Sequence, residues 1–208
     1  MNLKKRLRTK NDVLRMAYTD PDVLEIMSEK LISWLPKLPH EYVVVCIGTD
    51  RSTGDALGPF IGSFFNELKP RHITVYGTLN KPVHAANLAD YVQHINRRHQ
   101  HPFIIAIDAC LGKSHSVGSL VTGTGPIKPG AALNKNLPKI GDVHITGVVN
   151  VGGFMEYSVL QNTRLSIVVE MAKKVTSILD RIDQQLTYGR TLPAIIAHRT
   201  AASSIIDI

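Results

Sequence analysis

Apolar residues in this chain fall into two patterns, and the alternation between them carries the fold. Continuous apolar runs rich in β-branched residues occur at Tyr42–Ile47 and Phe103–Ile107, with a shorter run at His72–Tyr76. Such runs predict strands buried on both faces. Between them, Leu57, Ile61, Phe64 and Leu68 share one helical face, as do Ala85, Leu88, Val92 and Ile95. Helices are therefore expected from a start between Asp55 and Pro59 to about Leu68, with Pro59 in the first turn, and near 84–99. The order strand, helix, strand, helix, strand predicts parallel strands joined by right-handed crossovers.

Val117–Thr122 reads as a further strand. Only a short loop joins it to the third, too short for a parallel crossover, so it is expected to run antiparallel. Val143–Val149 reads as the fifth strand. Residues 154–186 read as mainly helical, because Leu165, Val168, Ala172, Val175, Leu179, Ile182 and Leu186 recur at intervals of 3 and 4. Residues 11–35 suit one or two short amphipathic helices broken near Pro21. Residues 123–141, rich in Gly, Pro, Lys and Asn, form a long loop of the kind often functional beside a site. The expected organisation is a basic tail with short helices over 1–39, an α/β domain over 40–188, and a C-terminal tail over 189–208 without clear period.

Composition narrows the function classes. Hydrophobic residues make up 44% of the 208, enough for a sizeable core. No apolar stretch reaches the ~20 residues of a membrane helix, and no secretory leader is legible, so a cytoplasmic protein is expected. Residues 1–15 hold six Lys or Arg and one acid, which leaves a net charge of +2 for 16–208. The basic tail has no interleaved aromatics, so it reads as a solvated end and predicts no specific nucleic-acid partner. Cys46 and Cys110 are expected to be reduced.

The chemistry concentrates in two motifs. Gly48-Thr-Asp-Arg-Ser-Thr-Gly-Asp-Ala-Leu-Gly-Pro59 follows the first strand, and Ile107-Asp-Ala-Cys-Leu-Gly112 ends the third. Each places an aspartate, Asp55 or Asp108, at the carboxyl edge of a parallel sheet, where ligands collect. Asp55 alone could cap the following helix, and Asp50 could serve a turn. Asp108 has no helix to cap. Together the two aspartates suggest an acid/base pair holding a water, one ionised as base and the other protonated. Gly48, Thr49 and the amides of the loop through Asp50 to Gly54 are candidate oxyanion donors. His144, at the start of the fifth strand, is a candidate third group: with Asp55 and Asp108 it would form an Asp/Asp/His set for a divalent metal, or act as acid/base. His115 is a weaker candidate of the same kind, and His94, His99 and His101 read as surface residues. Neither a G-x-G-x-x-G fingerprint nor a phosphate-binding G-x-x-x-x-G-K-[ST] loop is present. Ser114 and Ser116 lack a nucleophile elbow, and no cationic partner for Cys110 is evident in sequence.

These two motifs, with Gly153-Phe-Met-Glu-Tyr-Ser-Val-Leu-Gln-Asn-Thr-Arg-Leu165, resemble the YyaC family of spore-forming Firmicutes, over about residues 40–186. That family is similar to the spore germination protease and, more distantly, to hydrogenase-maturation endopeptidases. The resemblance implies a three-layer α/β/α sandwich around a mostly parallel sheet with one antiparallel strand. It implies a peptidase acting on a protein substrate, with small acid-soluble spore proteins as the named class, inside the forespore or spore core. Two aspartates are implicated in the germination protease, and by motif they fall on Asp55 and Asp108. In the maturation endopeptidases the corresponding acids and a histidine bind the nickel site of the substrate; these positions fall on Asp55, Asp108 and His144. No resident cofactor is expected unless the Asp/Asp/His set takes a divalent metal, and a homo-oligomer is compatible with the resemblance. The alternatives to the aspartate peptidase are a metal-binding maturation-type endopeptidase and a catalytically inactive spore binding protein that kept the fold.

Overall fold

The computed structural model describes residues 12–36, 40–129 and 137–202, with side chains through 186. The basic residues 1–11, the middle of the long loop and residues 203–208 lie outside the described residues. Six strands form one sheet: β1 (Val13–Ala17), β2 (Tyr42–Cys46), β3 (Ile73–Tyr76), β4 (Phe103–Gly112), β5 (Ser119–Thr124) and β6 (Val143–Val151). Their lateral order is β1-β5-β6-β4-β2-β3. β6, β4, β2 and β3 are mutually parallel; β5 is antiparallel to both β6 and β1. One strand of six therefore opposes the rest, and the expected sandwich is the observed one.

Alternate residues of the buried strands feed two cores. Tyr42, Val44, Cys46, Ile105, Ile107 and Ile145 pack under α1 (Val23–Trp34), α2 (Leu57–Glu67) and α5 (Leu165–Ala202). Val43, Val45, Ile47 and Ala106 face the other way, under Leu88 and Ile95 of α3 (Leu88–Arg98). Burial on both faces is why these strands lack a polar alternation. α2 lies unusually close to the sheet. A Cβ on Gly58 would stand 2.1 Å from the Ile47 carbonyl oxygen, so only glycine permits the approach.

The structure corrects several expectations. Residues 13–17 form a strand, not a helix: Val13, Arg15 and Ala17 are exposed while Leu14 and Met16 are half-buried, a period of two that pairs with the open edge of β5. The boundary expected near residue 40 thus does not separate the described N-terminal residues from the sheet. α3 starts at Leu88, because Val83 still bridges Ile47 and residues 84–87 make a turn. The helical region after 154 is two helices, α4 (Glu156–Gln161) and α5, and α5 continues to Ala202 where a tail was expected. His99 is buried rather than superficial. Its Nδ1 lies 2.6 Å from Glu41 Oε2 and its Nε2 3.0 Å from the Tyr76 hydroxyl, which satisfies both ring nitrogens. No described helix is long and apolar enough to cross a membrane.

Candidate functional site

The chain leaves β2 toward β3 and leaves β4 in the opposite lateral direction, toward β5 and β6. The carboxyl ends of β2 and β4 therefore flank a topological switch point, where an open α/β sheet forms a crevice. A cavity of about 350 Å³ opens there. Both motif aspartates line it, together with Gly48, Thr49, Asp50, Ser52 and His84. Arg51 and Tyr157 stand on its wall, as do Pro129 and Leu137 from the two described ends of the long loop.

Local backbone demands aim the two carboxylates. Gly48 has φ +149°, and a Cβ there would collide with the Asp55 carbonyl at 1.9 Å. This glycine lets the loop fold back so that Thr49 N–H donates to the Asp55 carbonyl at 3.2 Å. Asp55 does not cap α2. Ala56 occupies the cap position and no side chain bonds there, so the Asp55 carboxylate is left to the cavity. Burial pushes its pKa above the ordinary carboxylate value. The Ser52 hydroxyl is buried against it without a well-formed hydrogen bond and offsets part of the rise.

Asp108 sits differently from the expectation. β4 does not stop at it but continues to Gly112 along β6, so Asp108 marks the point where β2 gives out. Its Oδ1 accepts the Ala109 N–H at 2.9 Å.

The other expected groups divide. The amides of Gly48, Thr49 and Gly54 are already committed, to Val83, Asp55 and Leu160 carbonyls respectively. They cannot serve as oxyanion donors; the amides of Asp50, Ser52 and Thr53 have no such commitment among the described hydrogen bonds. His144 lies outside the cavity lining. It pairs with Ala106, two residues before Asp108 on the neighbouring strand, and its Nδ1 donates to the Gly125 carbonyl at 2.9 Å. Among the described residues no group of three or more His, Cys, Asp or Glu is placed to hold a metal ion, so the Asp55/Asp108/His144 set does not assemble. His115 is exposed on a short 3-10 turn and lines a separate cleft with Arg15 and Cys110. Arg15 is the cation near Cys110 that sequence spacing could not show, yet burial is the larger effect and raises the thiol's pKa.

His84 is the residue that motif reading missed. It follows Val83, which extends the β3 side of the sheet by one bridge to Ile47, and so it too stands at the carboxyl edge. The signal was its position just beyond a strand, with no motif around it. Its Nδ1 accepts the Ala86 N–H at 3.2 Å, which leaves the ring proton on Nε2 in the neutral form.

Comparison with known proteins places the chain. The family described as Protein of unknown function (DUF1256) matches residues 15–178. A Bacillus subtilis (strain 168) protein titled "Uncharacterized protein YyaC" is 49% identical over 170 residues, spanning 81% of this chain and 83% of that protein. Among solved structures, the NiFe hydrogenase maturation protease HycI from Thermococcus kodakarensis KOD1 is similar with a TM-score of 0.47 and 14% identity, over 70% of this chain and 93% of that one. The chain belongs to the DUF1256 family.

Proposed function

We propose that the protein is a peptidase whose reacting groups are Asp55 and Asp108. The observation that carries this reading is their convergence, from motifs fifty residues apart, on one cavity at the switch point of the sheet. Burial favours the protonated form of Asp55. Asp108 accepts a main-chain N–H, a contact that suits a carboxylate oxygen.

In the reaction, Asp108 takes a proton from a water held between the two groups. The hydroxide adds to the scissile carbonyl carbon, and Asp55 gives its proton to the carbonyl oxygen. Collapse of the tetrahedral intermediate breaks the C–N bond. The proton held by Asp108 passes to the leaving amine, and the proton of the collapsing hydroxyl returns to Asp55. The amides of Asp50 and Ser52, both on the cavity lining, have no other commitment among the described residues and are the donors for the developing oxygen charge. No step calls on His144, whose ring is held at Gly125.

The resemblance to spore proteins makes small acid-soluble spore proteins the first substrate, and a forespore or spore-core role goes with them. The test is incubation of those proteins with the purified chain, read by mass spectrometry. Wild type is expected to cut at defined bonds, in the presence or absence of EDTA. Asp55→Asn and Asp108→Asn are each expected to stop cleavage while keeping the circular dichroism of the fold. Full cleavage by either variant refutes the mechanism.

A further inference from the structure

β4 runs five residues beyond the last rung it shares with β2. The β2–β4 pairing ends at Cys46 and Ile107, where Ile47 N–H donates to the Ile107 carbonyl at 2.7 Å; the β4–β6 pairing continues to Gly112. In a parallel ladder, alternate residues turn both main-chain groups to the same side. Phe103 N–H donates to the Glu41 carbonyl, so odd-numbered residues of β4 serve the β2 side. The Ile104 carbonyl accepts from Asp142 and that of Gly112 from Gly152, so even-numbered residues serve the β6 side. The irregularity between Cys110 and Leu111 does not shift this parity. Cys110 faces Val148 and Leu111 faces Asn150, so the extra residue, Val149, belongs to β6.

Ala109 and Leu111 therefore direct their main-chain groups into the space that β2 vacates. Ala109 N–H is taken by Asp108. The Ala109 carbonyl and both main-chain groups of Leu111 have no hydrogen-bond partner among the described residues, and both residues are only half-buried. An unpaired strand edge is a template for another strand. This one begins one residue past Asp108, which lines the cavity.

We infer that Ala109 and Leu111 form the docking edge for an extended polypeptide, which pairs with β4 in the place of β2 and brings its main chain past Asp55 and Asp108. The identity of that polypeptide as substrate rests on the peptidase reading. Spacing supports the fit: residues two apart on a strand are ~7 Å apart, the repeat of an added strand. Tyr157 is 58% exposed and lies on the cavity itself. It offers apolar cover to the side chains of a bound strand. Recognition through main-chain groups predicts tolerance of sequence, with a preference for apolar residues beside the bound segment.

Residue-resolved amide exchange tests the inference. The probe is reduced, carboxymethylated α-lactalbumin, which stays unfolded, added to the Asp55→Asn protein so that it is not consumed. In the free protein the Leu111 amide is expected to exchange at least ~10-fold faster than those of Cys110 and Gly112, which face β6. Saturating probe is expected to slow Leu111 at least ~10-fold. Leu111→Pro, which removes the outward N–H together with a side chain packed on the core, is expected to abolish binding. A Leu111 amide as slow as its neighbours in the free protein, or unchanged by the probe, overturns the inference whether or not the proline variant folds. Cleavage of the probe by wild type without slowing at Leu111 also overturns it and leaves the peptidase standing. Slowing without cleavage by wild type supports the docking edge and counts against the peptidase.

Discussion

Replacing Gly58 by alanine tests the contact that aims the site. The new Cβ would stand 2.1 Å from the Ile47 carbonyl oxygen and 2.8 Å from the Ile47 nitrogen and carbonyl carbon. Ordinary van der Waals separations are ~3.5 Å, so the overlap exceeds an ångström. None of the three atoms is a flexible side-chain end. They belong to the end of β2, which is held between β3 and β4. α2 must therefore withdraw from the sheet by about 1 Å, and overpacking of this kind costs about 1–3 kcal/mol. Against it stands the better helix propensity of alanine, worth up to ~1 kcal/mol over glycine. The steric cost wins, for a net loss of about 1–2 kcal/mol. In a chain of this size each kcal/mol lowers Tm by about 2–4 °C, so a fall of about 2–8 °C is expected. Asp55 lies three residues before Gly58 and moves with the helix. A misplacement near 1 Å costs about 100-fold in rate, so cleavage of spore proteins should drop by that order. Gly125→Ala is the control. Its φ of +90° strains an alanine locally, but nothing lies within 4 Å of the added Cβ, so Tm falls slightly and cleavage persists. The measurements are thermal denaturation by circular dichroism and initial cleavage rates. Gly58→Ala with a Tm at or above wild type and full activity would refute the argument.

Two further substitutions probe electrostatics. Burial raises the pKa of Asp55, so the folded state keeps a proton that the unfolded chain has lost, and its ionisation destabilises the fold increasingly as pH rises from the ordinary carboxylate value through the raised one. Asp55→Asn should thus raise stability at neutral pH, lose that advantage in acid, and be inactive; urea titrations at several pH values check it, and a variant less stable at pH 7 contradicts it. Asp183 on α5 is 5% exposed and accepts the N–H groups of Arg71 and His72, each at 2.8 Å, at the entrance to β3. Hydrogen bonds to a charged group contribute about 1.5–3 kcal/mol each, and they are not fully additive. Asp183→Ala should therefore cost about 2–4 kcal/mol in urea denaturation, with Asp183→Asn intermediate; an unchanged midpoint would show that α5 does not anchor that edge.

The parallel strands and the helices α2 and α5 were legible because their apolar positions leave little choice. Tyr42–Cys46 is buried at every residue, and no helix or surface strand gives that pattern. Elements whose sequence supports two periods were not. Val13 and Met16 fit a helical interval, yet Leu14 and Met16 fit an alternating one, and the open edge of β5 decided between them. His99 has no sequence mark of burial; only Glu41 and Tyr76, distant in the chain, satisfy its ring.

At the site, the sequence by itself determined that two aspartates stand at the carboxyl edge of the parallel sheet, Asp55 in the glycine-bearing loop after β2 and Asp108 on β4 where β2 gives out. It did not determine which groups join them. His84 reaches the cavity, His144 does not, and three of the expected loop amides are committed to other carbonyls. It also could not tell that β4 outruns β2 and leaves the Ala109 carbonyl and the Leu111 main-chain groups without a partner on the β2 side among the described residues, because register belongs to a pair of strands and not to either sequence alone. Strand and helix identity follow from local periodicity. The convergence of side chains follows from strand order and register, which long-range packing fixes.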